Sequence, residues 1–114
     1  MSRDHAMYLD DMIEAVENVI EFSKGMGRVE FFRDKKTRDA TLRNLEILGE
    51  AAKKIPDPIR LLNPEIPWRR IAGLRDVLAH DYFGLDEGIL WDVVANEAPG
   101  LLEPLKGVRK RANT

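Results

Sequence analysis

Residues 68–83 read WRRIAGLRDVLAHDYF, and this stretch has the apolar spacing of an amphipathic helix. At about 100° per residue, its large apolar side chains fall on one arc of the helical wheel. These side chains are Ile71, Leu74, Val77 and Leu78. Pro67 precedes the stretch and suits the first turn of a helix. The stretch therefore predicts a helix from Trp68 to about Tyr82 or Phe83 that buries one face in a helical core.

The opposite arc of this predicted helix carries four polar side chains of different chemistry. With Arg75 set at zero, Asp76 falls at about 100° and His80 at about 140° on the wheel. Tyr82 falls at about −20°, close in angle to Arg75 and roughly two turns further along. A helix that needed only solubility would more usually carry Lys and Glu, which lose little side-chain freedom in a helix. This polar face is therefore the candidate functional surface of the chain.

The composition describes a single globular domain of ordinary polarity. The chain has 114 residues, of which 44% are hydrophobic and 33% charged, with a formal net charge of −2. This charge argues against a general nucleic-acid coat, so any RNA contact would be local, through a few Arg and Lys side chains. The chain has no Cys, no apolar run near the ~18 residues of a membrane span, and no signal-peptide layout. We therefore expect a cytoplasmic protein with no disulfide and no membrane partner.

Helical spacing, without any strong strand signal, predicts an all-α bundle of four to five helices in one domain, residues 1–114. Pro99-Gly100 is expected to bend or break the last helix about halfway, and a basic tail is expected from about residue 107. The predicted helices span residues 4–24, 34–55, 68 to about 83 and 87 to about 105, with short turns or helices over 28–32 and 59–62.

Three features of the predicted scaffold bear on the polar face. Gly49 lies in the middle of the second long helix, where glycine costs roughly 0.5–1 kcal/mol relative to alanine, so we expect another helix to approach it closely. Glu50 beside it is either solvated or near the Arg75 face, and the sequence leaves both possibilities open. The basic residues 109–111 form either a solvated tail or a phosphate contact.

Metal and nucleophile chemistry find little support in the sequence. Asp76 and His80 are four residues apart and could share a metal ion, but two ligands on one helix are at best half a site. No partner motif rich in His or carboxylates accompanies them. Ser2 and Ser23 are near helix ends, and Cys is absent. We therefore expect neither a metal ion nor another cofactor.

The side chains of Arg75, Asp76 and His80 suit phosphodiester chemistry without a metal. The guanidinium of Arg75 can bind a phosphate and stabilise the charge that develops during its transfer. The imidazole of His80, with an ordinary histidine pKa of about 6.5, can take or give a proton, and Asp76 can orient its neighbours. Cleavage needs both a base and an acid, and a symmetric dimer would supply the second imidazole. An alternative stays open, in which Arg75 and His80 simply pair with carboxylates.

Residues 73–83, GLRDVLAHDYF, resemble the Arg-x4-His-x-Tyr signature of HepT-like toxins, small α-helical nucleases of the HEPN superfamily. The resemblance continues in order along essentially the whole chain. It includes LEILGEAAKKIP at residues 45–56, PEIPWRRIAG at residues 64–73, and Asp86, Trp91 and residues 101–105 near the end. One position departs from the common pattern, because Asp76 follows the arginine where HEPN motifs often have Asn.

The resemblance implies a HEPN-type bundle that forms a homodimer and acts as a metal-independent endoribonuclease, leaving a 2′,3′-cyclic phosphate on its RNA substrate. Arg75 and His80 would be catalytic, with Asp76 as an orienting residue. The resemblance also implies the toxin half of a toxin–antitoxin pair, in which a cognate minimal nucleotidyltransferase silences the toxin by adenylylating Tyr82. Two alternatives stay open: a non-catalytic module that binds a nucleotidyltransferase partner or a nucleotide, and a helical dimerisation domain.

Overall fold

The computed structural model describes residues 3–80 and 86–112, apart from the side chains of residues 3, 79 and 80. Over these ranges the chain is a helical bundle without strands, which confirms the predicted all-α class. The α-helices are α1 (Arg3–Ser23), α2 (Arg28–Arg33), α3 (Lys35–Lys53), α4 (Asp57–Leu62), α5 (Trp68–His80), α6 (Glu87–Asp92) and α7 (Leu102–Arg111). A π-helical turn (Val93–Glu97) and a 3₁₀ turn (Pro99–Leu101) join α6 to α7.

The central helix of the bundle is α3, which packs against both α1 and α5. Leu45, Leu48 and Ala52 of α3 are fully buried. The large apolar side chains buried around them include Leu9, Met12, Val16, Val19, Phe31, Ile66, Ile71, Leu78, Val94, Leu105 and Val108. Contact with two neighbours explains why the apolar surface of α3 is wider than a single stripe. No helix in the described ranges combines the length and the apolar character needed to cross a membrane.

Local sequence signals set the ends of the helices. Gly25, just after α1, has a φ of +77°, which glycine adopts without strain. Asp34 caps α3, because its Oδ1 accepts a hydrogen bond from the Thr37 N–H at 3.1 Å. Asp86 caps α6 through the Ile89 N–H at 3.0 Å, as predicted. The bounds of α1 and α3 consequently differ from the predicted ones by no more than two residues.

The break predicted in the C-terminal segment is present, but it begins before Pro99. In the π-helical turn, the Ala98 N–H donates to the Val93 carbonyl at 2.8 Å, five residues back instead of four. Proline has no N–H to donate, and its ring clashes with the carbonyl four residues earlier in a regular α-helix. The helix widens into a π-turn ahead of Pro99 and then tightens into the 3₁₀ turn, which together redirect the chain into α7.

The last helix does not end at about residue 105 as predicted, because the residues expected to form a basic tail from about residue 107 belong to α7, which ends at Arg111. Val108 is buried and continues the apolar stripe of α7 past the predicted end of the helix. Arg109 donates from Nε to Oδ1 of Asp10 in α1 at 2.7 Å. The basic side chain of Arg109 therefore helps to hold α7 against α1.

Candidate active site

Helix α5 carries the predicted polar face, and its other face anchors it in the bundle. Trp68 is buried at the start of α5, where its Nε1–H donates to the Asn63 carbonyl at 3.0 Å. Ile71 and Leu78 are buried, as the apolar arc predicts. Val77 was expected on the same arc but is 40% exposed. Val77 lies at the edge of the apolar arc, and its exposure shows that the buried surface of α5 is narrower than the arc.

Helices α3 and α5 approach each other closely at Gly49, which confirms the expectation of a helix contact there. A Cβ atom at Gly49 would lie 2.6 Å from the Arg75 Cβ and 2.9 Å from the Arg75 backbone nitrogen. It would also lie 3.0 Å from the Ile71 carbonyl oxygen. These distances leave no space for a methyl group, so only glycine permits the crossing. The same crossing fixes the Cα–Cβ bond of Arg75 directly beside α3.

Arg75 lies in a chain of four charged side chains that joins α3 to α5. Its Nε is 3.5 Å from Oε1 of Glu50, and its Nη1 is 3.6 Å from Oδ1 of Asp76. The same Asp76 oxygen accepts a hydrogen bond from Nζ of Lys53 at 2.7 Å. The structure thereby decides the question that the sequence left open for Glu50: this carboxylate lies next to Arg75.

The contacts of this charge cluster, Glu50, Lys53, Arg75 and Asp76, are open to solvent. The side chains are between 35% and 54% exposed. Ion pairs with this exposure stabilise a protein by only about 0–1 kcal/mol, because water screens them. Pairing of Arg75 with carboxylates, the alternative raised from the sequence, is therefore present but weak. A phosphate could replace a carboxylate partner at little energetic cost and would gain a charge-assisted contact to the guanidinium.

The other two predicted site residues are described only in part, or not at all. His80 is the last described residue of α5, and its side chain lies outside the described set. On a regular helix its Cα is about 7.5 Å further along the axis than that of Arg75. Tyr82 lies outside the described residues. Within the described set, the predicted residues Arg75 and Asp76 are thus brought together.

Lys53 is the charged residue of the cluster that sequence reasoning missed. It lies three residues after Glu50 on α3, and this spacing places the two side chains on one face of a helix. Had Gly49 been used to orient α3 towards α5, this spacing would have identified Lys53 as a neighbour of Arg75. Among the residues described with their side chains, no three Asp, Glu or His groups are arranged to hold a metal ion.

These observations describe a small all-α protein with a solvent-open cluster of charges where two helices cross. The family model described as "Ribonuclease HepT-like" matches residues 12–108. A relative named "Probable ribonuclease HepT" from Thermococcus cleftensis is 46% identical over 110 residues, covering 96% of this chain and 100% of the relative. A relative named "Putative RNase MJ0127" from Methanocaldococcus jannaschii is 38% identical over 108 residues, covering 95% of this chain and 89% of the relative.

A third relative, "Putative RNase TTE0752" from Caldanaerobacter subterraneus, is 36% identical over 104 residues, covering 91% of this chain and 93% of the relative. No solved structure gives a significant match to the chain. The family match covers most of the sequence, and the relatives align over nearly their full lengths. The chain belongs to the HepT-like ribonuclease family.

Proposed function

We propose that this protein is a metal-independent endoribonuclease whose catalytic residues are Arg75 and His80, with Asp76 as an orienting residue. The observation that carries the proposal is the position of Arg75, within a family described as ribonucleases. The Arg75 side chain is 35% exposed and is fixed at its base by the crossing at Gly49, and its ion pairs with Glu50 and Asp76 are weak and displaceable. A fixed but accessible guanidinium is what binding a phosphodiester and stabilising its transition state require.

The proposed reaction is an internal transfer at a phosphodiester. The ribose 2′-oxygen attacks the phosphorus while the bond from phosphorus to the 5′-oxygen breaks, leaving a 2′,3′-cyclic phosphate and a free 5′-hydroxyl. One imidazole takes the proton of the 2′-hydroxyl, and a second gives a proton to the departing 5′-oxygen. Arg75 stabilises the extra negative charge on the non-bridging oxygens. Positioned acid–base groups of this kind contribute about 10²–10⁴ in rate.

The reaction needs two imidazoles, and each chain supplies His80 on the polar face. We place the active site between two copies of the chain, related by a two-fold axis that brings the two α5 helices together. The exposure of Val77 on α5 supports this arrangement, because an apolar side chain there can be buried against a second copy. The homodimer is thus part of the proposal.

The proposed biological role is that of the toxin in a toxin–antitoxin pair. A cognate minimal nucleotidyltransferase would transfer AMP from ATP to the phenolic oxygen of Tyr82, releasing pyrophosphate. On a continued helix, Tyr82 falls within about 20° of Arg75 and two turns further along. The added phosphodiester would then compete with RNA for the Arg75 guanidinium, which gives the modification a physical way to silence the enzyme.

The direct test is cleavage of total RNA by the purified protein in the presence of EDTA. Wild type is expected to degrade RNA, and Arg75→Ala and His80→Ala are expected to lose activity while remaining folded by circular dichroism. Arg33→Ala is the matched control, since this exposed arginine ends α2, at the far end of α3 from Gly49. Equal activity in all four proteins would contradict the proposed catalytic residues.

A second candidate function is a non-catalytic module that binds a nucleotidyltransferase partner. The acidic surface of α1 favours this reading, because Asp11 and Glu14 flank a groove between α1 and α3 that would repel RNA. Tight complex formation with the nucleotidyltransferase, together with no RNA cleavage and no growth arrest on inducible expression, would support it. Growth arrest by wild type but not by His80→Ala would support the ribonuclease instead.

A further inference from the structure

The charge cluster contains a second cation that the proposed ribonuclease mechanism does not use. Lys53 is 42% exposed at the end of α3, and its Nζ bonds to the same Asp76 oxygen that faces Nη1 of Arg75. The two distances to this oxygen are 2.7 Å and 3.6 Å. The ammonium of Lys53 and the guanidinium of Arg75 therefore face one point in space, which an anionic oxygen already occupies.

We propose that Lys53 and Arg75 together bind one phosphate of the RNA substrate, and that the Asp76 carboxylate occupies this two-cation site until RNA arrives. The proposal rests on the proposed ribonuclease function and names the substrate contact of that site. Lys53 is a substrate-binding residue in this scheme, contributed by a different helix from the one that carries the predicted motif.

The separation of the two cations fits a phosphate. The Lys53 Nζ and the Arg75 Nη1 are no further apart than 6.3 Å, the sum of their distances to the shared oxygen. A charge-assisted N–H···O contact is about 2.8 Å long, so the oxygens of one phosphate can contact both nitrogens. The two side chains also suit one phosphate in different ways. Arg75 offers a planar fork of hydrogen-bond donors, and Lys53 offers a point charge on a flexible stem that can adjust to the position of the phosphate.

Glu50, the remaining member of the charge cluster, contacts the Arg75 guanidinium independently of Asp76. Glu50 lies 3.5 Å from Nε of Arg75, on a different nitrogen from the one that faces Asp76. A phosphate can therefore replace Asp76 while Glu50 continues to orient the guanidinium. Because the Lys53–Asp76 pair is exposed to solvent, its loss costs little, and a singly charged RNA phosphodiester can replace the singly charged carboxylate between the two cations.

The test compares Lys53→Gln with Lys36→Gln, which removes the same charge from an exposed lysine near the other end of α3. Binding is measured by fluorescence anisotropy with a fluorescein-labelled, single-stranded 2′-O-methyl RNA, which lacks the attacking 2′-hydroxyl and cannot be cleaved. Cleavage is measured separately with the all-ribose version of the same oligonucleotide. Lys53→Arg keeps the charge and tests for rescue, and thermal unfolding verifies that each variant is folded.

The logarithm of the RNA association constant falls with the logarithm of the salt concentration, and loss of one phosphate contact to single-stranded RNA makes this negative slope shallower by about 0.7. Lys53→Gln is therefore expected to bind about 8-fold more weakly than wild type at about 50 mM salt and about 3-fold more weakly at about 200 mM. Lys36→Gln is expected to keep the wild-type slope, and Lys53→Arg to recover most of it. A merely structural role of Lys53 would leave the salt slope unchanged.

The outcomes separate this inference from the proposed function. Equal salt slopes for Lys53→Gln and Lys36→Gln, with active wild type, would overturn the role of Lys53 and leave the ribonuclease intact. Wild type that binds RNA without cleaving it would overturn the catalytic proposal, while a lowered slope for Lys53→Gln would still support the phosphate site. Wild type that neither binds nor cleaves RNA would overturn both.

Discussion

Gly49→Ala tests the helix crossing on which the candidate active site depends. The added methyl carbon would be 2.6 Å from the Arg75 Cβ and 2.9 Å from the Arg75 nitrogen, so α3 and α5 must separate. Alanine gains roughly 0.5–1 kcal/mol over glycine from helix propensity, whereas overpacking a well-packed contact costs about 1–3 kcal/mol. The balance is a loss of about 0–2.5 kcal/mol in the free energy of unfolding, with a central value of about 1 kcal/mol. A loss of about 1 kcal/mol lowers Tm by about 4–8 °C in a domain of about 100 residues.

The assay is chemical and thermal unfolding followed by circular dichroism, with Gly73→Ala as the matched control. Gly73 lies inside α5, and apart from its chain neighbours and the nearby backbone of α5 no atom of the described residues is within 4 Å of the Cβ position. The same glycine-to-alanine change there is expected to stabilise the protein by roughly 0.5–1 kcal/mol through helix propensity alone. The two variants should therefore move the unfolding midpoint in opposite directions.

The second readout of Gly49→Ala is RNA cleavage under conditions where the variant remains fully folded. A separation of the two helices shifts the base of Arg75 relative to Glu50 and Lys53, so activity should fall by more than the small change in the folded fraction explains. Refutation would be a Gly49→Ala protein as stable as the Gly73→Ala control. That result would mean that α3 and α5 do not touch at Arg75, and the geometry of the charge cluster would be lost with it.

Three further predictions address separate features of the chain. Asp76→Asn removes the carboxylate that occupies the Lys53–Arg75 site, so 2′-O-methyl RNA should bind about two- to fivefold more tightly. This factor corresponds to the loss of an exposed ion pair worth up to ~1 kcal/mol. Unchanged or weaker binding in the anisotropy measurement would contradict the prediction. Tyr82→Phe should remain toxic when co-expressed with its nucleotidyltransferase, and full silencing measured by growth would show that adenylylation is not the essential switch. Asp34→Ala removes the cap on the Thr37 N–H and should cost about 0.5–2 kcal/mol in denaturant unfolding, whereas Asp34→Asn should cost much less.

The main helices and one crossing were predictable from local rules. Apolar spacing predicted α1, α3 and α5. The position of Asp86 just before an apolar stretch predicted that its side chain caps α6. Gly49 predicted a close helix contact because a glycine inside a helix has a cost that packing must offset. Each of these inferences uses only residues within a few positions of one another, and that is why the sequence was sufficient.

The last helix shows where local rules stop. Val108 and Arg109 follow the predicted end of the helix, and in isolation Arg109-Lys110-Arg111 has the composition of a solvated tail. In the structure Val108 is buried, and Arg109 pairs with Asp10, a residue 99 positions earlier in the chain. Tertiary burial therefore extends a helix that neither composition nor capping signals support. The true end of α7 therefore depends on its packing against α1, which local sequence rules do not describe.

The difference between local spacing and tertiary packing also explains why Arg75 was predictable as a site residue and Lys53 was not. Arg75 was identified because it shares one helix with Asp76 and His80, so spacing alone grouped them. Lys53 belongs to the neighbouring helix, and its contact with Asp76 depends on the distance and angle at which α3 crosses α5. Gly49 sets that distance. A residue that has no side chain thus decides which charged side chains meet, and any substitution that keeps the motif on α5 but fills this contact should impair phosphate binding without altering a single charged group.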